Sequence, residues 1–140
     1  MKVPCEILMD YYMREVGAYD HPMKFLRPVF EKRGFLSALE LRQKPQGRKV
    51  RVAGLLVMIH TPPTRSGRRV MFVTLEDETG LIDLAVFENV QRYWAREILS
   101  GGLLSFEGIL QKEGKGGRSV SIVARRLVRN LSGPLECFMK

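Results

Sequence analysis

The run from Arg69 to Leu84 limits the possible folds more than any other stretch, because it specifies two strands and the turn between them. Side chains alternate along a strand, so Val70, Phe72 and Thr74 share one side and Met71, Val73 and Leu75 the other. The second side is wholly apolar and the first is mixed. Asp77 can accept backbone N–H groups in the turn that follows, and Gly80 supplies the conformational freedom to reverse direction. Beyond the turn, Ile82, Leu84 and Val86 match the apolar side across the hairpin. Asp83, Ala85 and Phe87 are left facing outward.

The same period of two extends on either side. A first strand is predicted from Arg48 to His60, with Val50 and Val52 inward and Gly54 where a long strand bulges or bends. Thr61 to Gly67 is a loop stiffened by Pro62-Pro63. The hairpin gives strands two and three and ends near Phe87. Asn89 to Leu99 has helical spacing, with Val90, Tyr93, Trp94 and Ile98 on the buried side. Strand four is expected from Leu103 to Lys112, with Gly108 placed as Gly54 is in strand one, then a loop from Glu113 to Gly117, then strand five from Arg118 to Arg129. Five strands with one helix between strands three and four make the plan of an OB-fold, a small barrel whose strands bend sharply to close. An SH3-like barrel is the structural rival, and it would not need the helix at 89–99.

Upstream the period is helical. Ile7, Leu8, Tyr11, Tyr12 and Glu15 outline a first helix ending at Gly17. Asp20-His21-Pro22 caps a second, with a stripe of Phe25, Leu26, Val29, Phe30 and Leu36, and with Pro28 inside it. Ser37 to Leu41 reads as a further short turn, and Pro45-Gln46-Gly47 ends the pattern. The expected fold class is therefore mainly β with a helical N-terminal extension. The expected organisation is an extension at 1–47, a five-stranded OB-fold barrel at 48–131 and a tail at 132–140.

Charge narrows the partners. The formal net charge is +8, and +6 of it falls on residues 48–140, which favours a polyanion held against the β-rich part. OB-folds lay the bases of single strands on aromatic side chains of strands two and three, while basic loops hold the backbone. Phe72, Thr74 and Asp83 then form the strand surface, with Arg51 joining them from strand one. Arg65, Arg68 and Arg69 in the first loop, and Lys112, Lys115 and Arg118 around the second, are the candidate phosphate clamps. Asp83 would repel phosphate, so it is expected to accept from a base or to pair with Arg51. Weak sequence preference and strong salt dependence follow. The plainer readings are a barrel with its faces exchanged, which would put Phe72 inside, and arginines that merely solvate a hairpin flank.

Catalysis finds no motif. His21 and His60 fall in different modules without metal-ligand spacing, and neither a GxxxxGK[ST] phosphate loop nor a GxSxG elbow is present. Glu76, Asp77 and Glu78 read as turn chemistry, and Tyr93 with Trp94 as a plug at the barrel end. No metal and no cofactor is expected. Cys5 and Cys137 stand far apart, no apolar run approaches membrane-spanning length, and a reduced, cytoplasmic setting is the expectation.

Several runs carry a family likeness. Val50 to Gly54, then Pro62-Pro63-Thr64 with Gly67, then Phe72 to Gly80 (FVTLEDETG), followed by Leu104 to Gly108, Leu110 to Gly114, Ser119-Val120 and Ala124 to Leu127, keep their order and spacing. Together they resemble the OB-fold region of the bacterial DNA polymerase III alpha subunit family, including its error-prone relatives. His21-Pro22 with Arg27, Gly34 and Ala38 is similar to the helical segment just upstream in that family. The resemblance implies a DNA-replication module that binds single-stranded template DNA, with other replication proteins as further partners. The family's catalytic carboxylates are not among these residues, so no enzymatic activity is expected of the chain itself. Arg65-Ser66 and Arg68-Arg69 depart from the family's usual loop. Phe-x-x-Leu-x-Asp-x-x-Gly spacing also occurs in anticodon-binding OB-folds, which keeps RNA binding open, and a protein-docking role is the third reading.

Overall fold

The computed structural model describes residues 22–114 and 119–128. The expected helix at 7–17, the side chains of Lys115 and Arg118, and the tail at 132–140 lie outside the described residues. Five strands, β1 (Lys49–His60), β2 (Val70–Asp77), β3 (Gly80–Phe87), β4 (Leu103–Glu113) and β5 (Ser119–Leu127), close into one barrel in the order β1-β2-β3-β5-β4. Closure runs through β1, whose first half pairs with β4 and whose second half pairs with β2.

The two mid-strand glycines sit where neighbouring strands crowd. A Cβ on Gly54 would lie 2.7 Å from the Glu76 carbonyl oxygen, and one on Gly108 would strike the Val123 carbonyl and the Ile122 side chain. Only a residue without a side chain lets β1 and β4 pass there. The barrel interior takes the apolar faces expected of the hairpin: Met71, Val73 and Leu75 meet Ile82, Leu84 and Val86, joined by Val50, Val52, Phe106, Leu110 and Ile122. Each such side chain contributes about 1.5–3 kcal/mol of burial.

Helix α3 (Glu88–Leu99) bridges β3 and β4. Val90 and Ile98 are buried and Trp94 packs against the barrel core, closing one end. Tyr93 does not join the plug and is 71% exposed. At about 100° per residue, the 90/94/98 stripe leaves position 93 on its outer margin. The same geometry corrects Val29, which is exposed while Met23, Leu26 and Phe30 of α1 (Pro22–Lys32) are buried. Pro28 lies within that helix.

The helical segment is fastened to the barrel. Met23, Leu26, Phe30 and Phe35 form a second core over Ala53, Leu103 and Val128, on the outside of β1 and β4. Phe30 and Phe35 meet edge to face at 4.9 Å. Helix α2 (Ala38–Leu41) starts at Ser37, where the Ser37 hydroxyl accepts from the Glu40 N–H and the Glu40 carboxylate accepts from the Ser37 N–H, a reciprocal cap.

The acidic turn completes the attachment. Asp77 is 2% exposed; one carboxylate oxygen accepts from Thr79 N (2.7 Å), Thr79 Oγ1 (2.8 Å) and Gly80 N (3.0 Å). The other accepts from Ala38 N (2.8 Å) and from Arg27 Nη2 (3.2 Å), whose guanidinium also forks onto Glu78 at 2.6 and 2.7 Å. Burial opposes the Arg27 charge, but Glu78 and Asp77 outweigh it and raise its pKa.

Candidate nucleic-acid interface

The outer face of β1, β2 and β3 is the open surface of the barrel. Cross-strand pairing sets it in rows: His60 beside Phe72 beside Ala85, then Met58 beside Thr74 beside Asp83. Phe72 is 44% exposed and Met58 57%. Phe87, also exposed, lies opposite Val70 on the same face and diagonal to Phe72. Two aromatic rings, a methionine and an imidazole thus face solvent on a rigid sheet, the surface on which bases stack.

Met58 and His60 reach this face because of a bulge. Pairing with β2 skips between Leu56 and Met58. Even-numbered residues point inward before the skip and odd-numbered ones after it, so Val50 and Val52 fill the core while Ile59 packs against it. Plain alternation along the strand hides these two positions.

The loop at 61–69 borders the face. Its base is pinned by α3: Arg69 N donates to Glu88 Oε1 at 2.7 Å, and Gln91 Nε2 donates to the carbonyls of Arg69 (3.1 Å) and Val86 (2.7 Å). Arg65, Arg68 and Arg69 are exposed, and their guanidinium groups have no partner among the described residues. The backbone is held while the charges stay available.

Other expected site residues are placed differently. Arg51 sits in the β4-paired half of β1, away from Thr74 and Asp83, and donates to Glu107 Oε2 (3.1 Å) and to the Arg33 carbonyl (3.4 Å). Asp83 therefore pairs with Thr74, whose hydroxyl donates to it at 3.1 Å, and not with Arg51. Lys112 donates to the Arg42 carbonyl at 2.9 Å. Glu107, 4% exposed, gathers Arg51 with Lys49 (2.9 Å) and Arg126 (2.9 Å). Hydrogen bonds from Arg126 first, then Lys49 and Arg51, hold its pKa down at about 2 against the opposing effect of burial. Among the described residues no three His, Cys, Asp or Glu side chains gather as a metal site requires, and no helix is long and apolar enough to cross a membrane.

The model of the family described as OB-fold nucleic acid binding domain matches residues 50–129. The chain belongs to that family. The chain is also similar to error-prone DNA polymerases. It is 41% identical over 120 residues to that of Symbiobacterium thermophilum, covering 86% of the chain and 11% of the relative. Against that of Pseudomonas aeruginosa it is 37% identical over 110 residues, covering 79% and 10%. The chain thus spans about a tenth of the length of the curated relatives it matches. Among solved structures, asparaginyl-tRNA synthetase from Pyrococcus horikoshii superposes with a TM-score of 0.54 at 19% identity, over 67% of the chain and 22% of the synthetase. That likeness concerns the fold.

Proposed function

We propose that this OB domain binds single-stranded DNA with little sequence preference and without catalysis of its own, as a module of an error-prone-polymerase-type replication protein. The observation that carries the reading is Phe72: a large aromatic side chain left exposed in the middle of a closed barrel's open face, between His60 and Ala85. The three arginines of the adjoining loop supply the phosphate contacts. Similarity to DNA polymerases favours DNA over RNA as the strand.

A titration of dT and U oligomers over a salt series tests this. Three phosphate contacts on a single strand predict a log–log salt slope of about −2 or steeper. Phe72→Ala removes one stacking platform and is expected to weaken binding about tenfold, within the 1–3 kcal/mol typical of a stacked base. A slope near zero, or unchanged affinity in Phe72→Ala, would overturn the assignment. Tighter binding of a structured RNA loop than of dT at equal salt would replace it with an anticodon-type reading.

A further inference from the structure

We propose that the gap between β3 and β5 is a subsite for one nucleobase bearing hydrogen-bond donors on its Watson–Crick edge, guanine above all, read by the Asp83 carboxylate. This deepens the single-strand reading and rests on it. The two strands pair only through Leu84 with Ile122 and Ala85 with Val123. Toward Leu81 and Ser119 they part, leaving a cavity of about 390 Å³ lined by Leu81, Asp83, Ser119 and Ser121, with Ala38 and Arg42 closing the far side. That volume lies within the range of about 300–1,000 Å³ in which small-ligand sites fall.

Asp83 is the chemically selective group in it. The Thr74 hydroxyl bonds Oδ1 at 3.1 Å and so fixes the carboxylate, while Oδ2 has no partner among the described residues. An ionised carboxylate only accepts, so it disfavours phosphate and favours N–H donors. Guanine offers two adjacent donors, N1–H and the 2-amino group, that match the two oxygens. Cytosine and adenine offer one amine. Thymine offers a single N–H flanked by two carbonyl oxygens, which the carboxylate repels. Single strands expose this edge, and duplexes hide it. The serine hydroxyls can turn to donate or accept, and Arg42 sets a cation at the rim for the attached phosphate. Most of the bound strand is then read by stacking, and one position by its edge.

The test compares binding of an all-dT oligomer with the same oligomer carrying one guanine or one inosine, which lacks the 2-amino group. The native chain is expected to bind the guanine oligomer about fivefold more tightly than all-dT, the lower end of discrimination by a two-bond contact because Asp83 is exposed. Inosine should lose most of that gain. Asp83→Asn should abolish the preference, since an amide replaces one accepting oxygen with a donor. Ser121→Leu, which fills the cavity mouth, should abolish it too. Equal binding of guanine and dT oligomers by the native chain, or Asp83→Asn weakening both alike, would overturn the subsite. If dT binds with the expected salt slope and guanine binds no better, the subsite alone falls. If neither oligomer binds at low salt, the single-strand reading falls with it.

Discussion

Replacing Glu107 with glutamine should make the barrel's stability less dependent on acid pH, and the size of the effect follows from the structure. The carboxyl is 4% exposed and receives bonds from Arg126, Lys49 and Arg51. It titrates at about 2 in place of its ordinary 4.5, and each tenfold change in proton affinity is worth about 1.4 kcal/mol. Ionisation of Glu107 therefore contributes about 3 kcal/mol to folding, an upper value because its three cationic partners are partly solvated and lose little when left alone. The folded pKa lies below the unfolded one. The contribution is complete above pH 4.5 and disappears as pH falls through 2. Glu107→Gln should cost about 2–3 kcal/mol at pH 7, and the gap to the native chain should close progressively between pH 5 and pH 2. Urea unfolding followed by Trp94, the chain's one tryptophan, which packs against the barrel core, reads both quantities. A gap of the same size at pH 7 and pH 2.5, or no gap at all, would refute the argument.

Three further outcomes are expected. Arg27→Met removes the fork that ties α1 to the Asp77-Glu78 turn; with Arg27 and Glu78 nearly buried, a loss of about 2–3 kcal/mol should appear as faster amide exchange in residues 22–32 than in β2 and β3. Gly108→Ala forces a methyl group against the Val123 carbonyl and Ile122, and the urea midpoint should fall by an amount equivalent to about 1–3 kcal/mol. Changing Arg65, Arg68 and Arg69 together to glutamine should leave the melting temperature unaltered, since none of their guanidinium groups bonds the described protein, while the salt slope for dT falls by about 2.

The hairpin was readable because strand alternation and an acidic turn speak locally: Met71, Val73 and Leu75 could face only a core. The glycines at 54 and 108 stand out in the sequence as special strand positions, and in the structure they sit where a neighbouring strand approaches closely. Positions governed by long-range geometry were not. Arg51 was grouped with Thr74 on parity alone, whereas a curved strand carries it round the barrel to Glu107. Met58 is not legible because a bulge leaves no mark in composition. Tyr93 and Val29 fit an i, i+3, i+4 spacing, yet each falls at the margin of its stripe and is exposed. The TLEDETG run also does more than turn the chain, since Asp77 and Glu78 bind a helix some fifty residues earlier.

The skipped residue in β1 makes one strand serve two masters. Before it, the outward side chains Ala53 and Leu55 belong to the helical segment's packing; after it, Met58 and His60 belong to whatever lies on the sheet. Pairing Val57 into the ladder would exchange those allegiances, turning Ile59 outward and His60 into the core, whereas deleting Val57 would straighten the strand and leave both where they are. The ligand face is thus set by whether the chain bulges at Val57 as much as by which residues stand on it.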